Sequence, residues 1–505
     1  MKATNSTGAK IMKSGKILIG WSSRDVTPEK PVNLRGQFHM RIARTVKDPV
    51  TVTALAVSTG KSKDAESSFI WVSCDTVAIP DSVLEMSRKK LGKLAKDFPV
   101  KNLVLNATHT HTAPESGGSW HPPVPRGVMK SEEYAEFFTD KVAEAAAESW
   151  KKRKHGFISW GMGYAQIGHG RRAVYFDDLS KRPGFKEAPG TKTEKTAKMY
   201  GNTGDDKFDC IEGYADHSTH FLFTFDAKKK LTGAVINIAC TAQETEGINE
   251  ISADFWHEAR IALRKQYGKN LFVLAQCSAA GGLSPHLMFN KKAGQRMLEM
   301  KGISSRQEIA NRIKAAFDDV FSWASKDMKD NVAVEHVSET IKLPRRMITK
   351  EEYLKVKKGL LELEKIPPSK APDENARLIE DSVLFARKGR CQRILDRYEE
   401  QKKNRNCEME LHVIRLDDIA LASNVFELFI DYGIRMQARS PATQTFVVQL
   451  CGGGRASYLP TKLAEEGESY SACIYCNEVG SEGGDVLVEK TVNMIKSIWE
   501  KEKQK

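Results

Sequence analysis

Short apolar runs alternate with amphipathic stretches along most of the chain. Runs such as ILIGWSS, TVTALAVS, FIWVSC and LVLN are bounded by polar or glycine-rich segments and predict buried strands. Helical spacing of apolar positions predicts helices over about 80–94, 131–152, 253–268, 304–324, 426–438 and 484–501. Strands that alternate with helices in this way indicate an α/β fold.

Three segments depart from this pattern. Residues 1–16 are polar and predict a loose tail before a domain that spans 17–505. Residues 173–216 are rich in glycine and charge without periodicity, and long excursions of this kind are more often functional than idle. Residues 349–405 are strongly charged, with helical periodicity in two pieces around Pro367 and Pro368. This helical insertion is expected either to pack over a crevice or to serve as a spacer.

Five strand-like runs end in small residues followed by one chemically capable side chain. These side chains are His109 after LVLN, Cys240 after VINIA, Ser284 after LFVLAQ, Glu427 after IALASN and Tyr458 after TFVVQL. Open α/β sheets bind ligands at the carboxyl ends of their strands, so the pattern predicts a site at one sheet edge. Singly, each has a structural explanation: Glu427 could complement a helix dipole, Ser284 could be a turn residue, and Cys240 a small buried hydrophobe.

Two further motifs add candidate chemistry. The segment THTHTAP carries His109 and His111 with one residue between them, and such side chains point the same way on an extended strand. One could hold a metal while the other faces a substrate, or both could bond only the backbone. Arg171 and Arg172 follow a glycine-rich turn and suit the capture of an anion or a polarised carbonyl.

Composition and charge argue against a nucleic-acid-binding, membrane-spanning or disulfide-rich protein. The formal net charge of +13 is spread over 505 residues, and the basic runs lack interleaved aromatics, which favours a solvated surface over nucleic-acid binding. No run of eighteen apolar residues is present, so no transmembrane segment is expected. The nine cysteines are odd in number and scattered, which favours free thiols and suits a cytoplasmic compartment. No signal peptide is visible, and the sequence determines neither the compartment nor the oligomeric state.

The motifs together resemble the catalytic domain of neutral (alkaline, non-lysosomal) ceramidases, zinc-dependent amidases that cleave the N-acyl bond of ceramide. The resemblance runs over about 19–488, with the insertion standing apart. It is carried by THTHTAP, RGQFHMRIAR, GRRAVY, SAAGGLSPH, VFELF and ASYLPT, and by Tyr470 twelve residues beyond Tyr458. It implies an α/β fold of two stacked mixed β-sheets flanked by helices.

The resemblance also implies a zinc site and its ligands. His109, Glu427 and Tyr458 match three ligands of the family, whereas the second zinc histidine aligns with Cys240. A thiolate can bind zinc, so Cys240 is a candidate fourth ligand. The alternatives are that Gln243 or water fills the gap, or that no metal binds.

The remaining roles concern the substrate. The resemblance implies that His111 and Tyr470 hold and polarise the scissile carbonyl, that Arg171 supports the site and that Ser284 lines the substrate. Further candidate substrate contacts are Arg172, Trp120 and Gln243. Two departures from the family put lipid handling in doubt: Gly282 replaces the aspartate of the serine loop, and the chain ends without the family's C-terminal immunoglobulin-like domain.

The expected activity is that of a zinc-dependent hydrolase that activates water to cleave an amide or related bond of a lipid or glycoconjugate. A second hypothesis is a carbohydrate-active hydrolase or lyase on the same scaffold, acting on a sugar or acidic glycan. A deep apolar crevice would favour an acyl chain, whereas an open one lined with Trp120, arginines and carboxylates would favour a glycan. The third hypothesis is a non-catalytic binding protein with a degenerate site, which metal analysis would separate from the other two.

Overall fold

The computed structural model describes residues 14–59, 67–118, 121–455 and 457–503. The strands are β1 Gly15–Asp25, β2 Val32–Leu34, β3 Arg41–Ala43, β4 Thr45–Val46, β5 Thr51–Thr59, β6 Ser68–Cys74, β7 Leu103–Ala107, β8 Lys154–Tyr164, β9 His169–Gly170, β10 Arg172–Tyr175, β11 Ala197–Met199, β12 Phe208–Ile211, β13 Ser218–Asp226, β14 Leu231–Ile238, β15 Glu250–Ile251, β16 Phe272–Cys277, β17 Leu283–Ser284, β18 Asn331–Val332, β19 Val334–Pro344, β20 Asn406–Leu416, β21 Ile419–Ser423, β22 Glu427–Leu428, β23 Gln444–Val448 and β24 Tyr458–Leu459. The helices are α1 Asp81–Leu94, α2 Ser131–Lys151, α3 Phe255–Tyr267, α4 Lys291–Lys301, α5 Ser305–Ala324, α6 Lys350–Glu364, α7 Glu374–Glu400, α8 Ile430–Arg439, α9 Lys462–Gly467 and α10 Ser481–Lys503.

Two mixed β-sheets form the centre of the molecule. The larger has the strand order β16-β14-β13-β8-β1-β5-β6-β7, with β18 paired to β1, and the smaller has the order β19-β20-β21-β23. Most neighbours are antiparallel, but β6 with β7, β14 with β16 and β21 with β23 are parallel. The strands that precede the five candidate side chains all belong to these parallel pairs.

The two sheets stack face to face around a shared apolar core. This core contains Trp21 and Trp71 from the larger sheet together with Ile414, Leu421 and Phe446 from the smaller sheet. Helices α1 and α2 cover one half of the larger sheet's outer face, α3 and α5 cover the other half, and α8 and α10 cover the smaller sheet. Because both faces of the central strands are covered, β6 is buried at every position, which explains its continuous run SFIWVSC.

The predicted fold class of two stacked mixed sheets flanked by helices is therefore confirmed. The predicted helices correspond to α1, α2, α3, α5, α8 and α10, except that α8 begins at Ile430 and Glu427 lies in β22. The sequence does not predict α4 or α9. Strand β1 begins at Gly15 and pairs with β18, so Gly15 and Lys16 lie in a strand, and residues 1–13 of the predicted tail lie outside the described residues. None of the described helices has the length and hydrophobicity needed to cross a bilayer.

The charged segment at 349–405 forms a pair of helices, α6 and α7. They pack through Val356, Leu360, Leu363 and Ile394, and against Ile474 of the main domain. The insertion enters from β19 and leaves into β20, which pair over their whole length from Val334 to Pro344. Helix α7 contributes residues to the wall of a cavity at the sheet edge, which is described below. The insertion therefore packs over the crevice and is not only a spacer.

A buried polar cluster joins α1 to the smaller sheet. Two nitrogens of Arg88 donate to the Glu410 carboxylate at 2.8 and 2.5 Å, and His412 Nε2 lies 2.7 Å from Glu410 Oε1. Burial disfavours the charged form of Glu410, but the hydrogen bonds from His412 and Arg88 outweigh it and lower the pKa of Glu410 to about 2.

Candidate active site

Three of the predicted strand-end residues converge at one sheet edge. His109 follows β7, and the short parallel pair of β22 and β24 places Glu427 beside Tyr458. His109 Nε2 lies 3.3 Å from Glu427 Oε2. All three side chains are largely shielded from solvent. Residues that are more than 300 positions apart in the sequence thus form one polar group, as the strand-end pattern predicts.

The backbone holds His109 in one orientation. His109 has a φ of 64°, an uncommon conformation for a non-glycine residue that is typically found at functional sites. Its backbone N–H donates to Thr76 O at 3.0 Å, and its ring Nδ1 lies 2.7 Å from Val77 O. Because a carbonyl only accepts, Nδ1 carries a proton and donates to Val77 O, and this hydrogen bond leaves Nε2 facing Glu427.

Gln243 fixes the second histidine of the THTH segment. Gln243 Oε1 accepts from Thr241 Oγ1 at 2.6 Å and from Arg171 at 3.1 Å, so its amide nitrogen faces His111 Nε2 at 3.0 Å. His111 Nε2 therefore accepts a hydrogen bond, and it lies 3.2 Å from His109 Nε2. Burial, together with the neighbouring His109, lowers the pKa of His111 well below its ordinary value and keeps the ring neutral.

The ring nitrogens of His109 and His111 and the carboxylate of Glu427 thus lie close together at the sheet edge. Glu427 Oε2 is buried and has no hydrogen-bond partner among the described residues. Burial raises the pKa of Glu427, but His109 and Arg171 outweigh it, so the pKa falls below its ordinary value and the carboxylate is charged. His109 Nε2 and Glu427 Oε2 lie 3.3 Å apart, an arrangement that a proton on the imidazole or a bound metal ion would stabilise.

The donor set agrees in chemistry with a divalent metal. Imidazole nitrogen and carboxylate oxygen are ordinary zinc ligands, and their 3.3 Å separation is close to the edge of a tetrahedron with ligand distances of about 2 Å. Within the described part of the chain, no group of three or more His, Cys, Asp and Glu residues is arranged to hold a metal ion. A site at His109 and Glu427 would therefore need the phenol oxygen of Tyr458 as a third ligand.

Arg171 connects the members of the site. Its guanidinium donates to Gly281 O at 3.0 Å, to Gln243 Oε1 at 3.1 Å, to Tyr458 Oη at 3.2 Å and to Tyr200 Oη at 3.4 Å. It also lies 4.0 Å from Glu427 Oε2. Burial lowers its pKa, but Tyr458, Tyr200 and Glu427 together raise it, so Arg171 is a permanent cation within the group.

A cavity of about 450 Å³ opens beside these residues. His111, Arg171, Gln243, Tyr458 and Tyr470 all line it. The Tyr470 ring packs edge-on against Tyr458 with ring centroids 5.5 Å apart. Burial, with Cys476 and Glu427, raises the pKa of Tyr470, so its hydroxyl keeps its proton and can donate to a substrate oxygen.

The cavity combines the two sets of features that the sequence-based hypotheses assigned to different substrates. Its rings are Phe38, Tyr200, Tyr458 and Tyr470, and its cations are Arg171, Lys192, Arg387 and Arg390. Glu246 is the only acid among the described lining residues. Trp120, a candidate substrate contact, lies outside the described residues.

Gly36, within the RGQFHMRIAR motif, shapes the floor of the site. A Cβ atom at this position would lie 2.6 Å from His111 Cγ, and the φ of Gly36 is +123°. Only glycine fits both the left-handed backbone and the close approach of the imidazole.

Three other candidates lie outside this polar group. Arg172 is buried in an ion pair with Glu212 at 2.9 Å and donates to Tyr470 O at 3.1 Å, so it supports the loop behind Tyr470 and does not line the cavity. The Cys240 thiol lies 3.5 Å from the carbonyls of Ile167 and Thr241 within an apolar cluster.

Ser284 is likewise directed to the backbone. Its hydroxyl accepts from the N–H of His286 at 3.3 Å, and the short strand β17 pairs it with His169 of β9. Burial raises the pKa of the Cys240 thiol well above its ordinary value. Cys240, at the position aligned with the family's second zinc histidine, therefore does not reach the polar group of His109, Glu427 and Tyr458. Gln243, three residues later, does reach it.

Comparison with known proteins addresses the fold. No protein-family model matches the sequence, and a search of curated proteins finds no match. Among solved structures, the neutral ceramidase from Pseudomonas aeruginosa matches with a TM-score of 0.64 and 14% identity, covering 96% of this chain and 75% of that chain. A structure described as ceramidase complexed with C2 matches with the same values. In its fold, this chain is similar to a neutral ceramidase over nearly all of its length.

Proposed function

We propose that this protein is a hydrolase of the ceramidase type that cleaves the bond between an acyl group and nitrogen. The observation that carries the proposal is the convergence of His109 Nε2 and Glu427 Oε2 beside Tyr458, which lines a substrate-sized cavity. The fold likeness to neutral ceramidase supports the reaction class by analogy.

Zinc is the proposed cofactor, held by His109, Glu427 and Tyr458. When bound, zinc supplies a Lewis acid and lowers the pKa of a bound water to about 7. Cys240 is left out of the proposed ligand set because its thiol bonds backbone carbonyls in an apolar cluster. The Val77 carbonyl contributes indirectly, because its hydrogen bond orients the His109 ring.

The other side chains act on the substrate carbonyl. The protonated Tyr470 hydroxyl and the neutral His111 ring are proposed to hydrogen-bond the carbonyl oxygen as it gains negative charge. Loss of one such donor typically costs about 10²–10³ in kcat. Gln243 holds His111 through its amide, and Arg171 holds Gln243 and Tyr458 through its guanidinium.

The test separates metal binding from rate. His109→Ala should lose both zinc, measured by mass spectrometry of the purified protein, and amidase activity toward short-chain N-acyl substrates. His111→Ala should retain zinc and lose activity, and Cys240→Ser serves as a control that should retain both. A zinc-free wild-type protein, or a fully active His109→Ala variant, would contradict the proposal.

A further inference from the structure

Helix α7 brings two arginines to the cavity wall opposite the sheet edge. Arg387 and Arg390 lie one turn apart and both line the cavity, with Val383 and Ala386 beside them. They come from the helical insertion, not from the strands that supply the proposed catalytic group. The question is which ligand group these two cations are placed to meet.

Arg390 is nearly buried and has no carboxylate partner among the described residues, but it lies beside the thiols of Cys473 and Cys476. The hydrogen bond with Cys476, together with Arg390, lowers the pKa of Cys473 to about 6. The Arg390 side chain is 6% exposed, and its guanidinium carbon lies 4.8 Å from the Phe38 ring centroid and 5.9 Å from that of Tyr470. One nitrogen lies 3.4 Å from Cys476 Sγ. No carboxylate of the described residues lies within ion-pair distance of it. A guanidinium has five N–H donors, so most of those on Arg390 remain available.

Arg387 is in a similar position. Its Nε donates to Pro189 O at 2.9 Å, and it too has no ion pair with a described carboxylate. Three other buried arginines, Arg172, Arg260 and Arg306, each lie 2.7–2.9 Å from a carboxylate oxygen. The buried Arg41 and Arg397 donate to backbone carbonyls instead, whereas the hydrogen bond of Arg390 goes to a sulfur. Because an unpaired buried charge is costly, the buried Arg390 with the partly buried Arg387 one turn away points to an anion supplied from outside.

The surrounding charges favour the same interpretation. Glu246, the one acid among the described lining residues, lies 3.3 Å from the Gln243 amide nitrogen and 3.5 Å from His111 Nδ1. It therefore belongs to the polar group at the sheet edge. Lys192 adds a third cation on the side of α7, although it is paired with Glu194 at 2.7 Å.

We propose that Arg387 and Arg390 bind a carboxylate on the amine half of the substrate, so that the substrate class is an N-acyl amino acid. This inference rests on the proposed amide hydrolysis at the same site. Arg390 lies against Tyr470, the group proposed to hold the scissile carbonyl, so the anion must be close to the amide. In an N-acyl amino acid the carboxylate carbon is three bonds from the carbonyl carbon. Arginine is suited to it because its planar fork binds carboxylates bidentately.

The test uses ligands that cannot be hydrolysed as amides. 4-Oxononanoate replaces the amide N–H of N-hexanoylglycine with a methylene, and 1-hydroxynonan-4-one is its uncharged counterpart. Calorimetric titration of the full chain should show that the carboxylate binds at least about tenfold more tightly than the alcohol. Arg390→Gln and Arg387→Gln should each reduce this ratio to below about threefold. Lys388→Gln, on the same helix but outside the cavity lining, should leave the ratio unchanged.

The outcomes separate the two proposals. Equal affinity for the two ketones, no binding of 4-oxononanoate, or an unchanged ratio in Arg387→Gln would overturn the assignment of the anion site. If Arg390→Gln fails to fold, Arg387→Gln decides, because that side chain is only partly buried. Retained selectivity without turnover of N-hexanoylglycine would leave the anion site in place and defeat the proposed hydrolysis instead.

Discussion

Replacement of Arg171 by methionine tests whether one buried cation organises the candidate site. The side chain is 1% exposed and donates to Gly281, Gln243, Tyr458 and Tyr200. Methionine fills similar space but donates to none of them, and removing one partner of a buried charge costs about 3–5 kcal/mol. We expect the free energy of unfolding in urea to fall by that amount.

The same change should weaken metal binding. Without Arg171, Tyr458 Oη loses the hydrogen-bond donor that holds it beside Glu427. Loss of such supporting groups typically lowers metal affinity by about 10–100-fold, and competition against a chelator measures the change. Arg171→Lys keeps the charge but cannot form the same set of hydrogen bonds, so its zinc affinity should fall between those of wild type and Arg171→Met.

Arg172 provides the matched control. It is also 1% exposed, and its ion pair with Glu212 lies behind the Tyr470 loop, outside the cavity lining. Arg172→Met should lose a similar amount of stability and keep its zinc affinity within about threefold. The reasoning is refuted if Arg171→Met unfolds within about 1 kcal/mol of wild type, or if both variants lose zinc equally.

Three other predictions concern single side chains. Tyr470→Phe should lower kcat by about 10²-fold in a steady-state assay while Tm stays unchanged, and an unaffected kcat would exclude the hydroxyl from carbonyl binding. Gly36→Ala should displace the His111 ring, and substrate titration should show lost activity with zinc retained; normal activity would contradict the close approach seen here. Glu410→Gln should cost up to about 3 kcal/mol at pH 7, because the Glu410 pKa is lowered to about 2. A lowered pKa stabilises the fold above the unfolded value near 4.5, so urea titrations should show the difference from wild type shrinking as the pH falls from 4.5 toward 2, and a constant difference would exclude the ion pair with Arg88 as its source.

The strand ends were the part of the site that the sequence could predict. A polar side chain that follows a buried strand is excluded from the apolar core and lies at the sheet edge. His109, Glu427 and Tyr458 meet there, as the pattern indicates. Cys240 ends a strand in the same way, but its side chain lies among apolar residues. The alternation of apolar and polar residues along a strand does not predict the direction of a side chain in the turn that follows, so the apolar surroundings of Cys240 were not predictable.

The cavity wall was beyond sequence reasoning for a different reason. Arg387 and Arg390 stand in a strongly charged amphipathic segment where arginine is ordinary on a solvated face. Only the packing of α7 over the sheet edge separates them from the other basic residues of the segment. The family resemblance assigned Arg171 to the support of the site, but nothing in the sequence indicated that Arg172 would turn away from the cavity toward Glu212.

The insertion that carries α6 and α7 enters and leaves at one point, because Pro344 pairs directly with Asn406 in the ladder of β19 and β20. In topological terms, residues 345–405 are the connecting loop of a β-hairpin. A short turn between Pro344 and Asn406 would leave the ladder intact and would expose the apolar surface around Ile474 and Tyr475. The helical insertion can thus be exchanged as a unit, so related chains could change their substrate preference while the residues at the sheet edge stay the same.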